Sequence, residues 1–256
     1  MGDRDAVICR IGRAGTGREA EFGCRAQIIV PIMGSTLEEL REEIRAAATV
    51  PHDLIEWRVD GFGQYDPAVI SSIATELMRI SDVPLLATIR TTDEGGAADL
   101  SGEEYAALVA VLATVADAVD VEISRNGAPA IIAEARSAGA CVVASFHDFS
   151  GPRSADQLIE IYRSMNEAGA DILKTAVYCH SDSDVEAIWD AQAWAWLILR
   201  RPIIGIGMGR AGQPTRIVGM SRFCAATFAS AGTVSAPGQL SAHDARILLD
   251  QEECET

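Results

Sequence analysis

Ala170-Asp171-Ile172-Leu173-Lys174-Thr175-Ala176-Val177 reads as a buried strand, a continuous apolar run with one ammonium in its middle. Seven more runs share its character: Ile28–Met33, Leu54–Val59, Pro84–Ile89, Ala118–Ile123, Ala140–Phe146, Pro202–Met208 and Phe223–Ala229. Helical periodicity fills the gaps at Thr36–Ala48, Pro67–Arg79, Ser101–Val115, Gly127–Ser137, Ser154–Ala168 and Ser183–Leu199, and again after Leu240. Ser35 or Thr36 ahead of Glu38-Glu39, and Ser101 ahead of Glu103-Glu104, are capping signals for helix starts. The pattern is weakest after the seventh run. Eight strand–helix repeats in 256 residues predict an α/β fold, a single-domain (β/α)8 TIM barrel over residues 27–256. A doubly wound open sheet is the alternative. Residues 1–26 are polar and rich in Gly and Arg, and read as an N-terminal extension in which Val7–Ile11 forms a short strand.

Side chains alternate across a strand, which sorts the polar residues by face. Leu54, Glu56, Arg58 and Asp60 share one face of the second run, while Ile55, Trp57 and Val59 share the other. By the same count Leu86, Thr88 and Arg90 stand together, as do Asp120, Glu122 and Ser124. The fifth run groups Cys141, Val143, Ser145 and His147; the sixth groups Ile172, Lys174 and Ala176. Most of these polar groups lie in the C-terminal half of their run, the end where barrels place their chemistry. A buried ion is costly unless paired, so opposite charges from neighbouring strands are expected to meet inside.

Composition narrows the partners. The formal net charge is −16, which disfavours nucleic acid and anionic membrane surfaces. No window approaches ~18 consecutive apolar residues, and the start Met-Gly-Asp-Arg-Asp lacks the apolar core of a signal peptide. Ala6 stands where N-myristoylation requires Ser or Thr. The six cysteines show no CxxC spacing and read as reduced thiols, and the four histidines offer no zinc pattern. A cytoplasmic protein without membrane or nucleic-acid partners is expected.

Lys174 is the only lysine; the other twenty basic residues are arginine. An amine can lose its proton and attack a carbonyl, whereas a guanidinium cannot. Burial favours the neutral amine, the nucleophile of Schiff-base catalysis. A lysine packed by its stem with a snorkelling head is the structural alternative. His147 ends the neighbouring run and is placed to move protons near neutral pH. His52, His180 and His243 read as solvated. The segments Glu56-Trp57-Arg58-Val59-Asp60 and Thr88-Ile89-Arg90-Thr91-Thr92-Asp93-Glu94-Gly95-Gly96 bring further charges to the same mouth, as a binding site or as a structural ion network. Gly207-Met208-Gly209-Arg210-Ala211-Gly212 matches GxGxxG, but no dinucleotide-binding βαβ unit precedes it. Its glycines allow either a close turn beneath a substrate, with Arg216 following, or a phosphate site. Residues 232–239 after the eighth run, with Ser235 and Gln239, read as a mobile cover or an ordinary loop.

Taken in order, these segments resemble the type I 3-dehydroquinate dehydratase family, the Schiff-base dehydratases of the shikimate pathway. The similarity runs from Ile28-Ile29-Val30-Pro31-Ile32-Met33-Gly34 to Ser235-Ala236-Pro237-Gly238-Gln239. It is most specific at Glu56–Asp60, Arg90 with Glu94-Gly95-Gly96, His147-Asp148-Phe149, Ala170–Lys174, and Thr215-Arg216 followed by Ala226-Thr227-Phe228. The resemblance implies a (β/α)8 barrel, a homodimer, 3-dehydroquinate as substrate, and neither metal nor organic cofactor. It implies Lys174 as the imine-forming lysine, His147 as the general acid/base and Glu94 as the carboxylate supporting it. Arg216 and Gln239 would hold the substrate carboxylate, with Glu56, Arg58, Arg90 and Ser235 making the remaining contacts. Two segments depart from the commoner pattern: Tyr178-Cys179-His180, and the Gly- and Arg-rich stretch around Arg210. Another Schiff-base barrel enzyme, such as a class I aldolase acting on a sugar phosphate, and a non-catalytic binder of shikimate-type acids are the competing readings.

Overall fold

The computed structural model describes residues 8–12, 18–217, 223–232 and 239–255. It begins with an antiparallel hairpin of β1 (Cys9–Ile11) and β2 (Ala20–Phe22). The repeating unit then starts: β3 (Gln27–Ile32), α1 (Leu37–Ala47), β4 (Leu54–Arg58), the single turn α2 (Val59–Phe62) and α3 (Pro67–Ile80). Next come β5 (Leu85–Thr88), α4 (Gly102–Val115), β6 (Ala118–Glu122), α5 (Ala128–Ser137), β7 (Cys141–Asp148) and α6 (Ala155–Glu167). The chain finishes with β8 (Ile172–Tyr178), α7 (Asp182–Leu199), β9 (Ile203–Met208), β10 (Ala226–Ser230), β11 (Leu240–Ser241) and α8 (Ala242–Glu255). Helix starts follow the capping signals. Thr36 and Ser101 each accept the amide of the Glu three residues on, whose carboxylate returns to the cap.

From β3 to β9 every strand pairs in parallel with the next in the chain, and β10 pairs with β3 on the far side. The two edges meet where Ile203 bridges Cys224, with the Ala225 amide donating to the Ile203 carbonyl at 2.7 Å. Strand order never reverses and the sheet curls onto itself, so the barrel holds and the doubly wound alternative fails.

One repeat departs from expectation. Between β9 and β10 the described residues form no α-helix, only a 3₁₀ turn at Gln213–Arg216. The cause is local. A Cβ on Gly207 would lie 2.7 Å from Gly212 Cα, so the chain folds back on itself through two glycines. Thr215 Oγ1 locks this turn by accepting the Gly207 amide and donating to the Gly212 carbonyl, each at 2.8 Å. The GxGxxG pattern thus encodes backbone packing.

Alternation splits the core in two. Ile55, Trp57 and Val59 pack outward among the helices, whereas Leu54 joins an interior cluster with Ile29, Leu86, Val143, Ile172 and Ile204. Ile11, Ala20 and Phe22 of the hairpin join that interior cluster, so the N-terminal segment covers the bottom of the barrel. Each fully buried aliphatic or aromatic side chain of this kind contributes ~1.5–3 kcal/mol. His52 is not solvated: its side chain is 7% exposed, with Nδ1 3.0 Å from the Val50 carbonyl and Nε2 3.7 Å from Asp82. His180 and His243 are exposed.

Candidate active site

Above the apolar floor, the next inward positions turn polar. Register places Ser145 beside Lys174 and His147 beside Ala176, so His147 lies diagonal to the lysine and one step nearer the mouth. A cavity of about 320 Å³ opens there, at the small end of ligand pockets. Glu56, Arg58, Arg90, Glu94, His147, Lys174, Arg216 and Gln239 all line it, with Met33, Phe149, Met208 and Phe228 supplying apolar wall. Eight of the nine site residues expected from sequence therefore converge. The ninth, Ser235, and most of the expected cover at 232–239 lie outside the described residues.

Lys174 is 4% exposed. Its Nζ is 3.6 Å from Asp120 Oδ2, 3.9 Å from Glu56 Oε1 and 4.3 Å from the centre of the Phe228 ring. Burial lowers its pKa; Asp120 and Glu56 resist, while Arg90 and Arg58 add to the fall. Neither carboxylate is within hydrogen-bond distance, so the amine is attracted to the carboxylates without being committed to either. Such an amine has the chemistry of a nucleophile.

Arg90 is the hub of the opposite wall. One guanidinium nitrogen donates to Glu94 Oε2 (3.2 Å), Glu122 Oε1 (3.0 Å) and Ser145 Oγ (3.0 Å), and the other donates to Asp120 Oδ1 at 2.8 Å. Glu122 also accepts from the Thr91 amide and hydroxyl, and Glu56 accepts from Thr88. Burial pushes Asp120 upward, but Arg90 and then Lys174 hold it below the ordinary carboxylate range. Arg58 is bidentate to Asp60 at 2.8 and 2.7 Å.

His147 Nδ1 is 2.9 Å from Glu94 Oε2, which also accepts the His147 amide at 3.0 Å. With Arg90 as a further donor, that oxygen is an acceptor. Nδ1 is then the donor, leaving the Nε2 lone pair for the cavity. Burial, with Arg90, Lys174 and Arg58, pushes His147 well below the usual histidine value. Burial also raises Glu94 to about 8, Glu122 and Asp120 adding to the rise while Arg90 opposes it. Burial thus disfavours charge on both partners.

Arg216 differs. It is 3% exposed, its Nε has no hydrogen-bond partner, and no carboxylate lies within ion-pair distance of it among the described residues. Burial brings its pKa down to about 10. A buried guanidinium without an acid, lining a cavity, has the chemistry to accept an anion.

Asp120 and Phe228, which lie against the Lys174 amine, are positions that sequence reasoning placed on the inward face or in a motif without assigning a role. The two sequence departures touch each other. A Cβ on Gly209 would come within 2.9 Å of the Tyr178 ring, which stacks obliquely on His180 at 5.2 Å, and none of the three lines the cavity.

Comparison with known proteins agrees with this geometry. Residues 28–254 match the family model for type I 3-dehydroquinase. The 3-dehydroquinate dehydratases of Klebsiella pneumoniae and Salmonella agona are 34% and 35% identical over 230 residues, covering 87% of this chain and 92% and 91% of theirs. The type I 3-dehydroquinate dehydratase of Clostridium difficile superposes with a TM-score of 0.88 at 29% identity, covering 97% of this chain and 99% of that one. With matches at this level across nearly its whole length, the chain belongs to the type I 3-dehydroquinase family, the dehydratases that act on 3-dehydroquinate.

Proposed function

We propose that this pocket dehydrates 3-dehydroquinate to 3-dehydroshikimate through an imine on Lys174. The neutral amine attacks the ketone carbon, and loss of water gives an iminium that acidifies the adjacent C–H. His147 Nε2 removes that proton, with Glu94 supporting the imidazolium across the Nδ1 bond. The enamine expels the neighbouring hydroxyl, which leaves as water with the proton returned by His147. Hydrolysis of the imine releases product and restores the amine. Arg216 and Gln239 hold the carboxylate, while Glu56, Arg58, Arg90 and Ser235 supply the remaining contacts or shape the walls that make them.

The observation that carries this reading is the sole lysine, buried with a depressed pKa, one strand step from a histidine whose free nitrogen faces the same cavity. The Clostridium difficile relative carries covalently modified comenic acid, a covalent acid ligand of the kind an imine-forming pocket would accept. An aldolase acting on sugar phosphates would use the Gly207–Gly212 turn as a phosphate cradle, but its two outer glycines are in contact with each other. A non-catalytic binder has no use for the His147–Glu94 pair. Residues 27–256 are read as the catalytic domain, with 1–26 as its extension. A homodimer in the cytoplasm accompanies this assignment, supported by the family resemblance. No helix among the described residues is long and apolar enough to cross a membrane.

The test is direct. Mixing the protein with 3-dehydroquinate should produce conjugated-enone absorbance, and borohydride added during turnover should leave one substrate adduct on Lys174. Turnover without a trappable lysine adduct, or no turnover at all, would remove this reading.

A further inference from the structure

Two cysteines stand apart from the barrel mouth. Cys9 opens β1 and Cys141 opens β7; 132 residues separate them, yet their Sγ atoms are 3.6 Å apart. Both are free, half-buried thiols. They border an open cleft of about 560 Å³ at the barrel's lower end, lined also by Arg10, Arg136 and Asp171. A disulfide needs ~2.05 Å between sulfurs, so each must move by less than ~1 Å, within the reach of side-chain rotation. The strand that carries Cys9 is three residues long and pairs only with β2.

We propose that Cys9 and Cys141 form a thiol–disulfide exchange site that reacts with an anionic low-molecular-weight disulfide of the glutathione type and closes into an intramolecular disulfide. The Cys9 thiolate attacks one sulfur of the small disulfide. A mixed disulfide forms and one small thiolate leaves, taking up the proton Cys9 has lost. Cys141, as thiolate, then attacks Cys9 Sγ, breaking the mixed disulfide and releasing the second small thiol. The two protein thiols are oxidised, the small disulfide is reduced to two thiols, and both protons are accounted for.

Charge supports that order. The Cys141 hydrogen bond, with Arg201 and Arg136, holds Cys9 below the ordinary thiol value against burial and Asp171. Cys141 is pushed well above it by the same hydrogen bond and by burial. The thiolate is thus favoured on Cys9; Arg10 and Arg136 are paired with Glu21 and Asp171, but with 63% and 48% of their side chains exposed they can still receive carboxylates of the incoming disulfide.

Cys141 and His147 are six residues apart on one strand, roughly 20 Å. The bond would therefore tie the hairpin to the barrel floor without reaching the pocket. It would stabilise chiefly by restricting the unfolded chain, with a loop long enough for a large effect.

Oxidised glutathione at mild alkaline pH is the probe. Alkylatable thiols should fall from six to four, and a non-reducing tryptic digest should link residues 5–10 to residues 137–153. The thermal midpoint should rise by roughly 5–10 °C, reversibly with dithiothreitol, while turnover of 3-dehydroquinate stays within about twofold. Cys141→Ser should instead stop at a glutathione adduct on Cys9, and Cys9→Ser should form no link. Six alkylatable thiols after oxidation, a persistent glutathione adduct on the unaltered protein, or links only between chains would overturn the proposal.

Discussion

The two sides of the barrel mouth solve the problem of a buried arginine in opposite ways. On the wall built by β5, β6 and β7, Arg90 is saturated: three carboxylates and a serine take its donors, and each carboxylate has partners besides it. On the β9 side, Arg216 lines the same cavity with Ile206 and Met208 and has no acid within ion-pair distance among the described residues. The saturated side is machinery set before substrate arrives. The unsaturated side suits a negative charge brought by a ligand, the role proposed for Arg216. Lys174 lies between them, drawn toward Asp120 and Glu56 but hydrogen-bonded to neither.

Replacing Lys174 should have the largest effect. Lys174→Arg keeps a cation over Phe228 and near Asp120 but cannot form an imine, so turnover and borohydride-trapped adduct should both vanish. Activity in that variant would mean the charge, and not the nucleophile, is what the pocket uses. Arg90→Met comes next. It leaves Asp120, Glu122 and Glu94 buried without their shared cation, a loss of ~3–5 kcal/mol typical of breaking a buried ion pair. Urea unfolding measures it. A loss below ~1 kcal/mol would show that Arg90 is as expendable to the fold as Arg216.

His147→Ala should leave the amine able to form its imine while removing the base. Turnover should fall ~10²–10⁴-fold, and the lysine adduct should accumulate in reduced samples analysed by intact mass. Near-normal turnover would return His147 to a packing role. Arg216→Met sharpens the contrast with Arg90 most directly. It should leave stability to urea unchanged or raised, because a buried guanidinium with no acid becomes a hydrophobe of similar length. Binding of carboxylate-bearing analogues should weaken by ~1.5–3 kcal/mol, with a matched neutral analogue unaffected. Equal losses for both analogues would make Arg216 structural.

What the sequence made legible follows from periodicity. Parallel strands buried on both faces read as apolar runs, and a period of two put Glu56, Thr88, Arg90, Asp120, Ser145 and Lys174 on inward faces before any contact was known. Contacts that depend on register or on distant chain segments were hidden. Nothing local says that Asp120 approaches Lys174, because strand pairing decides it. Ile11, Ala20 and Phe22 are too few and too scattered to mark the hairpin as the barrel floor. That the described residues between β9 and β10 form no α-helix is foreshadowed only by a weak pattern, and the tight turn there, Gly207 against Gly212, is an approach between backbones. That Arg216 has no acid beside it among the described residues is an absence, which no motif can carry.

Glu94 gives the smallest and most discriminating effect, because it belongs to the saturated wall yet is displaced as if part of it were unsatisfied. One oxygen takes three N–H donors while the other, Oε1, is buried with no partner. Its pKa rises from 4.5 to about 8, chiefly by burial. Between those values the folded protein keeps a proton that the unfolded chain has released. Stability from this group is thus complete below pH 4.5 and is lost as pH rises toward 8, at up to ~1.4 kcal/mol per pH unit. His147 works in the opposite sense. Its folded value lies below 6.5, so its contribution is present above 6.5 and is lost as pH falls below it. From pH 6.5 to 8 only the Glu94 slope should remain of the two. Glu94→Gln should flatten the wild-type decline in that window, whereas His147→Ala should leave it. Glutamine can still accept the Nδ1 proton through its carbonyl oxygen but cannot balance an imidazolium, so turnover should drop less than in His147→Ala. A wild-type minus Glu94→Gln stability difference that stays flat from pH 6.5 to 8 would mean Glu94 is already ionised in the folded protein. The three carboxylates around Arg90 would then all be charged, and the contrast with Arg216 complete.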